Sequence, residues 1–308
     1  MNLKDILLFL DRGDAGEERL QPAMNVAQDY RAYFGAELLH KAAVRSTLPP
    51  QQAAPLDQLL YDQREGVGHI TFNRPQTRNA LTFAMYERLA EIATDPGDVR
   101  ALIITGAGEK AFAAGTDIDE FHALGSATDA VAYEARIDRV LGTLERCKVP
   151  TIAAIAGACT GGGASIAAAC DLRIAAANAR FGFPIARTLG NCLSISSIAR
   201  LSALIGPARV IEMIFTARLL CASDALAAGL LTEVLPDQAA LEARAIDLAT
   251  LVGSHAPLTM RATREALRRL RDNVPLDEDL VRMCYTSEDF KEGIEAFLTK
   301  RPPVWRGK

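Results

Sequence analysis

No two of the six cysteines, Cys147, Cys159, Cys170, Cys192, Cys221 and Cys284, have the close spacing of a zinc ribbon or a redox motif. Their scatter reads as reduced thiols, mostly small core residues. The four histidines, His40, His69, His122 and His255, form no cluster with cysteine or acid at metal-ligand spacing, so no metal is expected. An excess of one charge sign is also missing. A formal net charge of -4 and a pI near 5.7 leave no global field for nucleic acid or an anionic membrane. An anionic ligand must therefore be caught by local groups. The apolar run in MNLKDILLFLDRGD is too short for a signal peptide and has acids on both sides, which argues against a transit peptide and for the cytoplasm. The uncharged stretch Thr151–Cys170 is long enough to cross a bilayer, but it is mostly alanine and glycine and ends in Asp171 and Arg173. We read it as soluble core, and no membrane contact is expected.

What is present divides the chain. Residues 2–10 read as a strand, and residues 15–31 carry Leu20, Ala23, Met24, Ala27 and Tyr30 at helical spacing. The segment STLPPQQAAP then reads as a linker, with a boundary near residue 55. This opening segment faintly resembles the first strand and helix of universal stress proteins, but it carries no glycine-rich nucleotide loop. Residues 1–55 are thus an appendage without an assigned role. From residue 57 the pattern alternates: LLYDQREGVGHITFN as a hairpin, NALTFAMYERLAEIA as a helix, then ALIITG, TIAAIAG and DLRIAA as buried strands. Such alternation predicts an α/β fold with crossover helices. After residue 205 the chain turns helical, with amphipathic stretches in LEARAIDLATLVG, APLTMRATREALRRLRD and SEDFKEGIEAFLTK. No internal repeat is visible.

Two loops follow predicted strands. In AFAAGTDIDEF, at 111–121, Gly115 lets the chain turn and Asp117 suits the start of an acidic helix. In CTGGGASIAAACD, at 159–171, Gly161–Gly163 opens a helix expected to run to Cys170. Free N–H groups at a helix start bind negatively charged oxygen, and two such donors converging make an oxyanion hole.

FNRPQTRNAL at 72–81, AFAAGTDIDEF at 111–121, PTIAAIAGACTGGGASIAAACDLRIA at 150–175 and DFKEGIEAFLTKRPPVWRGK at 289–308 resemble, in order, signature segments of the crotonase superfamily, the enoyl-CoA hydratase/isomerase family. The likeness runs from about residue 57 to the C-terminus. It implies a spiral of ββα units over 56–255, a C-terminal helical region over 256–308 that builds a trimer or a dimer of trimers, and an acyl-CoA thioester as substrate. Coenzyme A would arrive as part of that substrate, with no covalently bound cofactor. The thioester oxygen would sit between the backbone N–H groups of Thr116 and Gly162. Gln76, Arg78, Ala80, Leu81, Ala114, Gly115, Asp117 and Gly161 fall in the stretches that contact the thioester and the CoA. Arg78 is a candidate for the phosphates, as is Lys300 from a tail that often reaches a neighbouring subunit.

The chain departs from the pattern at the two glutamates that hydratases of this family use as acid and base. The first falls at Ser165; the second falls at Ile185 or, with a one-residue shift, at Ala186. A serine without a partner is no base at neutral pH, so Ser165 either touches the substrate or is structural, and isoleucine offers nothing. The segment FGFPIARTLGNCLS supplies other groups. Arg187 could hold a substrate carboxylate bidentately or form a salt bridge, Asn191 could donate a hydrogen bond, and Cys192 is either a nucleophile or a packed thiol. Glu134 and Asp138, four residues apart on a predicted helix near 126–146, are stand-in acids or solvated ones. Asp117, Asp119 and Glu120 are read as helix-start residues, and Asp171 as structural. Enoyl-CoA hydration or isomerisation is the leading expectation by resemblance. Thioester hydrolysis, decarboxylation, carbon–carbon cleavage and non-catalytic acyl-CoA binding stay open.

Overall fold

The computed structural model describes residues 58–121, 125–274 and 276–308. The expected strand 2–10, helix 15–31, boundary near residue 55, His40 and His122 lie outside the described residues.

The strands Leu59–Arg64 (β1) and Val67–Phe72 (β2) form the expected hairpin. Its turn residues Glu65 and Gly66 both have positive φ, the geometry that matches the twist of the flanking strands. Helix Phe83–Thr94 (α1) starts at Thr82, whose hydroxyl accepts from the Met85 N–H. Strands Ala101–Gly106 (β3) and Ala111–Ala113 (β4) lead to the short helix Ile118–Phe121 (α2) and to Ala127–Glu145 (α3). The start of α3 carries a reciprocal Ser126–Asp129 capping box. Thr151–Ile155 (β5), Ala158–Thr160 (β6) and Gly162–Ala169 (α4) form the next turn, followed by Leu172–Ala176 (β7) and Arg180–Gly182 (β8). The stretch considered as a bilayer span is thus two strands and a short helix. No helix of the described residues is long and apolar enough to cross a membrane.

Helices Ile195–Ile205 (α5) and Pro207–Phe215 (α6), strand Leu220–Cys221 (β9), helix Ala222–Ala227 (α7) and strand Glu233–Leu235 (β10) complete the core. Four further helices follow: Gln238–Gly253 (α8), Pro257–Arg271 (α9), Glu278–Tyr285 (α10) and Glu288–Thr299 (α11). Three of these match expected amphipathic stretches; α10 was not read from the sequence.

The strands sort into two sheets. One is six-stranded, in the order β1-β2-β3-β5-β7-β10 and parallel apart from the first pair; the other is four-stranded, β4-β6-β8-β9, and parallel apart from the last. Each pair β3-β4, β5-β6 and β7-β8 therefore spends one strand in each sheet before a helix carries the chain on. This is the expected ββα spiral.

Period-two alternation explains why the large sheet is covered on both faces. Leu102, Ile104, Ala153 and Ile155 enter the main core with α1, α3 and α4, while Ala101, Ile103, Ile152 and Ala154 face Leu241, Ala245 and Ala249 of α8. The C-terminal helices are fastened by arginines. Arg264 of α9 donates to Asp171 at 2.9 Å and to the Val149 carbonyl at 3.2 Å. Arg271 joins Arg200 of α5 on the carboxylate of Glu145.

Candidate active site

The strands β4 and β6 are parallel neighbours, so the loops that leave their C-terminal ends emerge on the same side. These are the loops 114–117 and 161–163. They touch: a Cβ on Gly161 would lie 3.4 Å from Gly115 Cα.

The three consecutive glycines answer three separate demands. Gly161 has φ 53 and ψ -120, a conformation closed to residues with a side chain, and its N–H donates to the Gly182 carbonyl at 3.1 Å. At Gly162 a Cβ would stand 1.9 Å from the Tyr86 hydroxyl, and at Gly163 it would stand 2.3 Å from the Ala113 carbonyl oxygen. Helix α4 begins immediately, with the Ser165 N–H making the first return bond to Gly161 at 2.9 Å. The Gly162 N–H, one residue into the helix, has no intrahelical acceptor.

Thr116 is released by a different device. It pairs with Leu81 in an isolated parallel bridge, in which the Leu81 N–H donates to Gly115 and the Asp117 N–H donates to Leu81, both at 2.8 Å. A parallel bridge uses the groups on either side of the central residue, so the Thr116 N–H points the other way. Two outward N–H groups thus sit on contacting loops.

Several residues hold the loop at 114–117. Buried Asn79, at φ 55, donates to the carbonyls of Ala107 and Ala111 at 3.1 and 2.7 Å and accepts from the Arg74 N–H at 3.0 Å. Arg74 pairs with Asp117 at 2.7 Å and donates to the Ala80 carbonyl at 2.6 Å. The Arg78 carbonyl accepts from the Ala114 N–H at 3.0 Å. Asp117 also accepts from the Asp119 N–H, as a helix-start residue should. Glu120 instead reaches the neighbouring helix, where it accepts from the Phe83 N–H at 3.0 Å.

Thr116 is the middle of a chain of hydroxyls that the sequence did not reveal. Thr116 Oγ1 lies 2.9 Å from the Tyr86 hydroxyl of α1 and 2.9 Å from the Tyr133 hydroxyl of α3. Burial raises the pKa of both phenols above the ordinary value, with Tyr133 adding to the effect at Tyr86. Both tyrosines occupy ordinary core positions of amphipathic helices; the one signal was Thr116, the hydroxyl between Gly115 and Asp117.

The departures from the glutamate pattern stand out in the structure. Ser165 is buried in the first turn of α4, and no histidine or carboxylate is bonded to its hydroxyl among the described residues. Ile185 is buried, and Ala186 exposed. Arg187, Asn191 and Cys192 lie on the exposed segment before α5, and no hydrogen bond joins their side chains to the two glycine loops. Glu134 and Asp138 face the start of α5. Asp138 accepts from the Ser194 hydroxyl at 2.7 Å. Glu134 is half-buried, and burial, reinforced by Asp138, raises its pKa against a smaller opposing effect of the Ser194 N–H. It forms no ion pair among the described residues.

The remaining candidates spread further. Gln76 is exposed on a single 3-10 turn, with Arg78 and Ala80 half-buried beyond it and Leu81 fully buried. Lys300 is exposed at the end of α11. Asp171 accepts from the Thr151 N–H and hydroxyl as well as Arg264, a purely structural set. Burial alone would raise the pKa of Glu145, but its bonds to Arg200 and Arg271 outweigh that and hold it down at about 2. Burial pushes the Cys159 thiol up and Cys170 to about 12, so neither is a nucleophile.

The family model for enoyl-CoA hydratase/isomerase matches residues 62–308. The chain is 37% identical over 256 residues to the "Probable enoyl-CoA hydratase" of Mycobacterium bovis, covering 80% of this chain and 97% of that protein. It is 33% identical over 255 residues to the short-chain-enoyl-CoA hydratase of Clostridium acetobutylicum, covering 80% and 96%. A solved structure of an enoyl-CoA hydratase/carnithine racemase from Magnetospirillum magneticum superposes with a TM-score of 0.75 at 34% identity, covering 82% of this chain and 97% of that one.

Proposed function

The chain belongs to the enoyl-CoA hydratase/isomerase family and is an enzyme of that type, and on this premise we propose that Thr116 and Gly162 grip the carbonyl oxygen of an acyl-CoA thioester between their backbone N–H groups. The observation that carries this reading is the double release of donors on touching loops: one N–H turned outward by the Leu81 bridge, the other free at the start of α4. The positive end of the α4 dipole lies behind the second donor. Charge that develops on the oxygen as an enolate is met by groups already in position, so no reorganisation is needed at the moment of reaction.

In this reading Gln76, Arg78, Ala80, Leu81, Ala114, Gly115, Asp117 and Gly161 border the thioester and the CoA, and Arg78 and Lys300 serve its phosphates. Arg187, on an exposed segment, is available to a carboxylated acyl group. Ser165, with no base beside it, is a wall of the site. Asn191 and Cys192 are contacts of the acyl group. The candidate for proton transfer is Glu134, which follows Tyr133 on α3, where the Tyr133 hydroxyl reaches Thr116, and is half-buried without an ion pair among the described residues; burial raises its pKa, as suits a base. CoA enters as part of the substrate, and no covalent cofactor is needed.

Several large apolar side chains of α9–α11 are exposed in the single chain, including Leu267, Leu270, Tyr285, Phe297 and Leu298. Such a surface supports assembly into a trimer or a dimer of trimers. Six unpaired thiols suit the cytoplasm.

The test is the loss of absorbance of a short 2-enoyl-CoA on adding purified protein, with binding of the saturated thioester measured in parallel. Turnover supports hydration. Binding without turnover would leave another acyl-CoA reaction or a non-catalytic binder, and the absence of both binding and turnover would overturn the reading.

A further inference from the structure

The hydroxyl chain Tyr86–Thr116–Tyr133 has a direction. Tyr86 is 1% exposed, and Thr116 Oγ1 at 2.9 Å is the partner of its hydroxyl among the described residues. If Tyr86 accepted from Thr116, its own proton would be buried unpaired, at a cost of roughly 1–3 kcal/mol. Tyr86 therefore donates. Three hydroxyls carry three protons, and the two links at 2.9 Å consume two of them. The spare proton belongs to Tyr133 when the links run head to tail, the arrangement in which each bond polarises the next.

Tyr133 is also the end of the chain that is not fully buried. Its ring is fixed from two sides, 5.9 Å from Phe83 and 5.1 Å from Phe121 between centroids. The Tyr86–Thr116 part of the chain lies against Gly162, where Thr116 Oγ1 would stand 3.2 Å, and the Tyr86 hydroxyl 1.9 Å, from a Cβ, and the Tyr133 hydroxyl is one 2.9 Å hydrogen bond further on.

We infer that Tyr133 is a catalytic residue, a third hydrogen-bond donor to the enolate oxygen of the thioester, with Tyr86 and the Thr116 hydroxyl as its positioning residues. This deepens the oxyanion-hole reading and rests on it. The raised pKa of both phenols keeps the chain neutral, so it donates a hydrogen bond without giving up a proton.

Tyr133→Phe keeps the ring between Phe83 and Phe121 and removes only the donor. Loss of one oxyanion donor is expected to lower kcat for a 2-enoyl-CoA by about 10- to 100-fold while KM stays within about threefold. A second readout is the enolate absorbance of bound acetoacetyl-CoA, which should fall in the variant at saturating ligand. Tyr86→Phe should shift both readouts in the same sense by a smaller factor, and it decides the matter if Tyr133→Phe fails to fold by thermal melting. A folded Tyr133→Phe variant with wild-type kcat and wild-type enolate absorbance overturns the Tyr133 assignment alone, and so does an effect on KM only. A wild-type protein that neither turns over nor binds the thioesters overturns the oxyanion-hole reading and this inference with it.

Discussion

Arg74 Nη1 lies 2.7 Å from Asp117 Oδ2, with the two side chains only 16% and 14% exposed. The pair ties the segment before α1 to the loop that carries Thr116, while the same guanidinium holds the Ala80 carbonyl. Arg74→Ala leaves Asp117 largely buried without a counter-ion, so a stability loss of about 3 kcal/mol is expected in denaturant titration. The loop should loosen as well, and kcat for a 2-enoyl-CoA should fall at least about tenfold even where the variant is fully folded. Full activity in the folded variant would show that the pair does not set the loop.

Gly162→Ala forces a methyl to 1.9 Å from the Tyr86 hydroxyl, so backbone or tyrosine must move. Overpacking of this kind costs about 1–3 kcal/mol, and displacing an oxyanion donor costs about 10²–10³ in kcat. Adding Tyr86→Phe should restore part of the melting temperature, because the hydroxyl is the atom struck first. Activity should stay low in the double variant.

Glu145 binds two arginines, so its folded pKa of about 2 lies below the ordinary 4.5. A depressed carboxylate contributes stability that is complete above 4.5 and is lost as pH falls from there towards 2. The shift corresponds to roughly 3 kcal/mol at neutral pH. Glu145→Gln should therefore unfold at lower denaturant than wild type at pH 7, and the gap should narrow steadily on acidification.

Glu134 has the opposite sign. Its folded pKa is raised above 4.5, so the stability gained by binding the proton is present below 4.5 and lost as pH rises through the folded value. Glu134→Gln should accordingly melt higher than wild type at pH 7.5 and equally near pH 4. Its kcat should drop by about 10²–10⁴ and lose the acid limb of its pH profile, as removal of a general base requires. A variant of unchanged kcat would leave proton transfer to another group.

The spiral was legible because its signals are local. Buried runs such as Ala101–Gly106 and Thr151–Ile155, and the glycine triplet before an alanine helix, state their structure without reference to anything distant. The glycines also announced that a backbone is closely approached, although the visitor at Gly162 proved to be a tyrosine hydroxyl as well as any ligand. Contacts between remote segments were not legible. Nothing near Tyr86 or Tyr133 in sequence says that both meet Thr116, 30 and 17 residues away. Asn79 lay within a recognised segment, yet its bonds to Ala107 and Ala111 depend on how two loops fold together. Glu120 was read as serving its own helix, and it caps α1 instead, because the two helix starts are brought side by side.

The most direct test of the central claim is the infrared carbonyl stretch of a saturated acyl-CoA, labelled with carbon-13 at the thioester carbon and bound to the protein. Two backbone donors at Thr116 and Gly162 withdraw electron density from the oxygen, so the bound band should move to lower wavenumber than in water, and Gly162→Ala should reverse the movement. A thioester that binds with its carbonyl band unshifted would contradict the oxyanion hole.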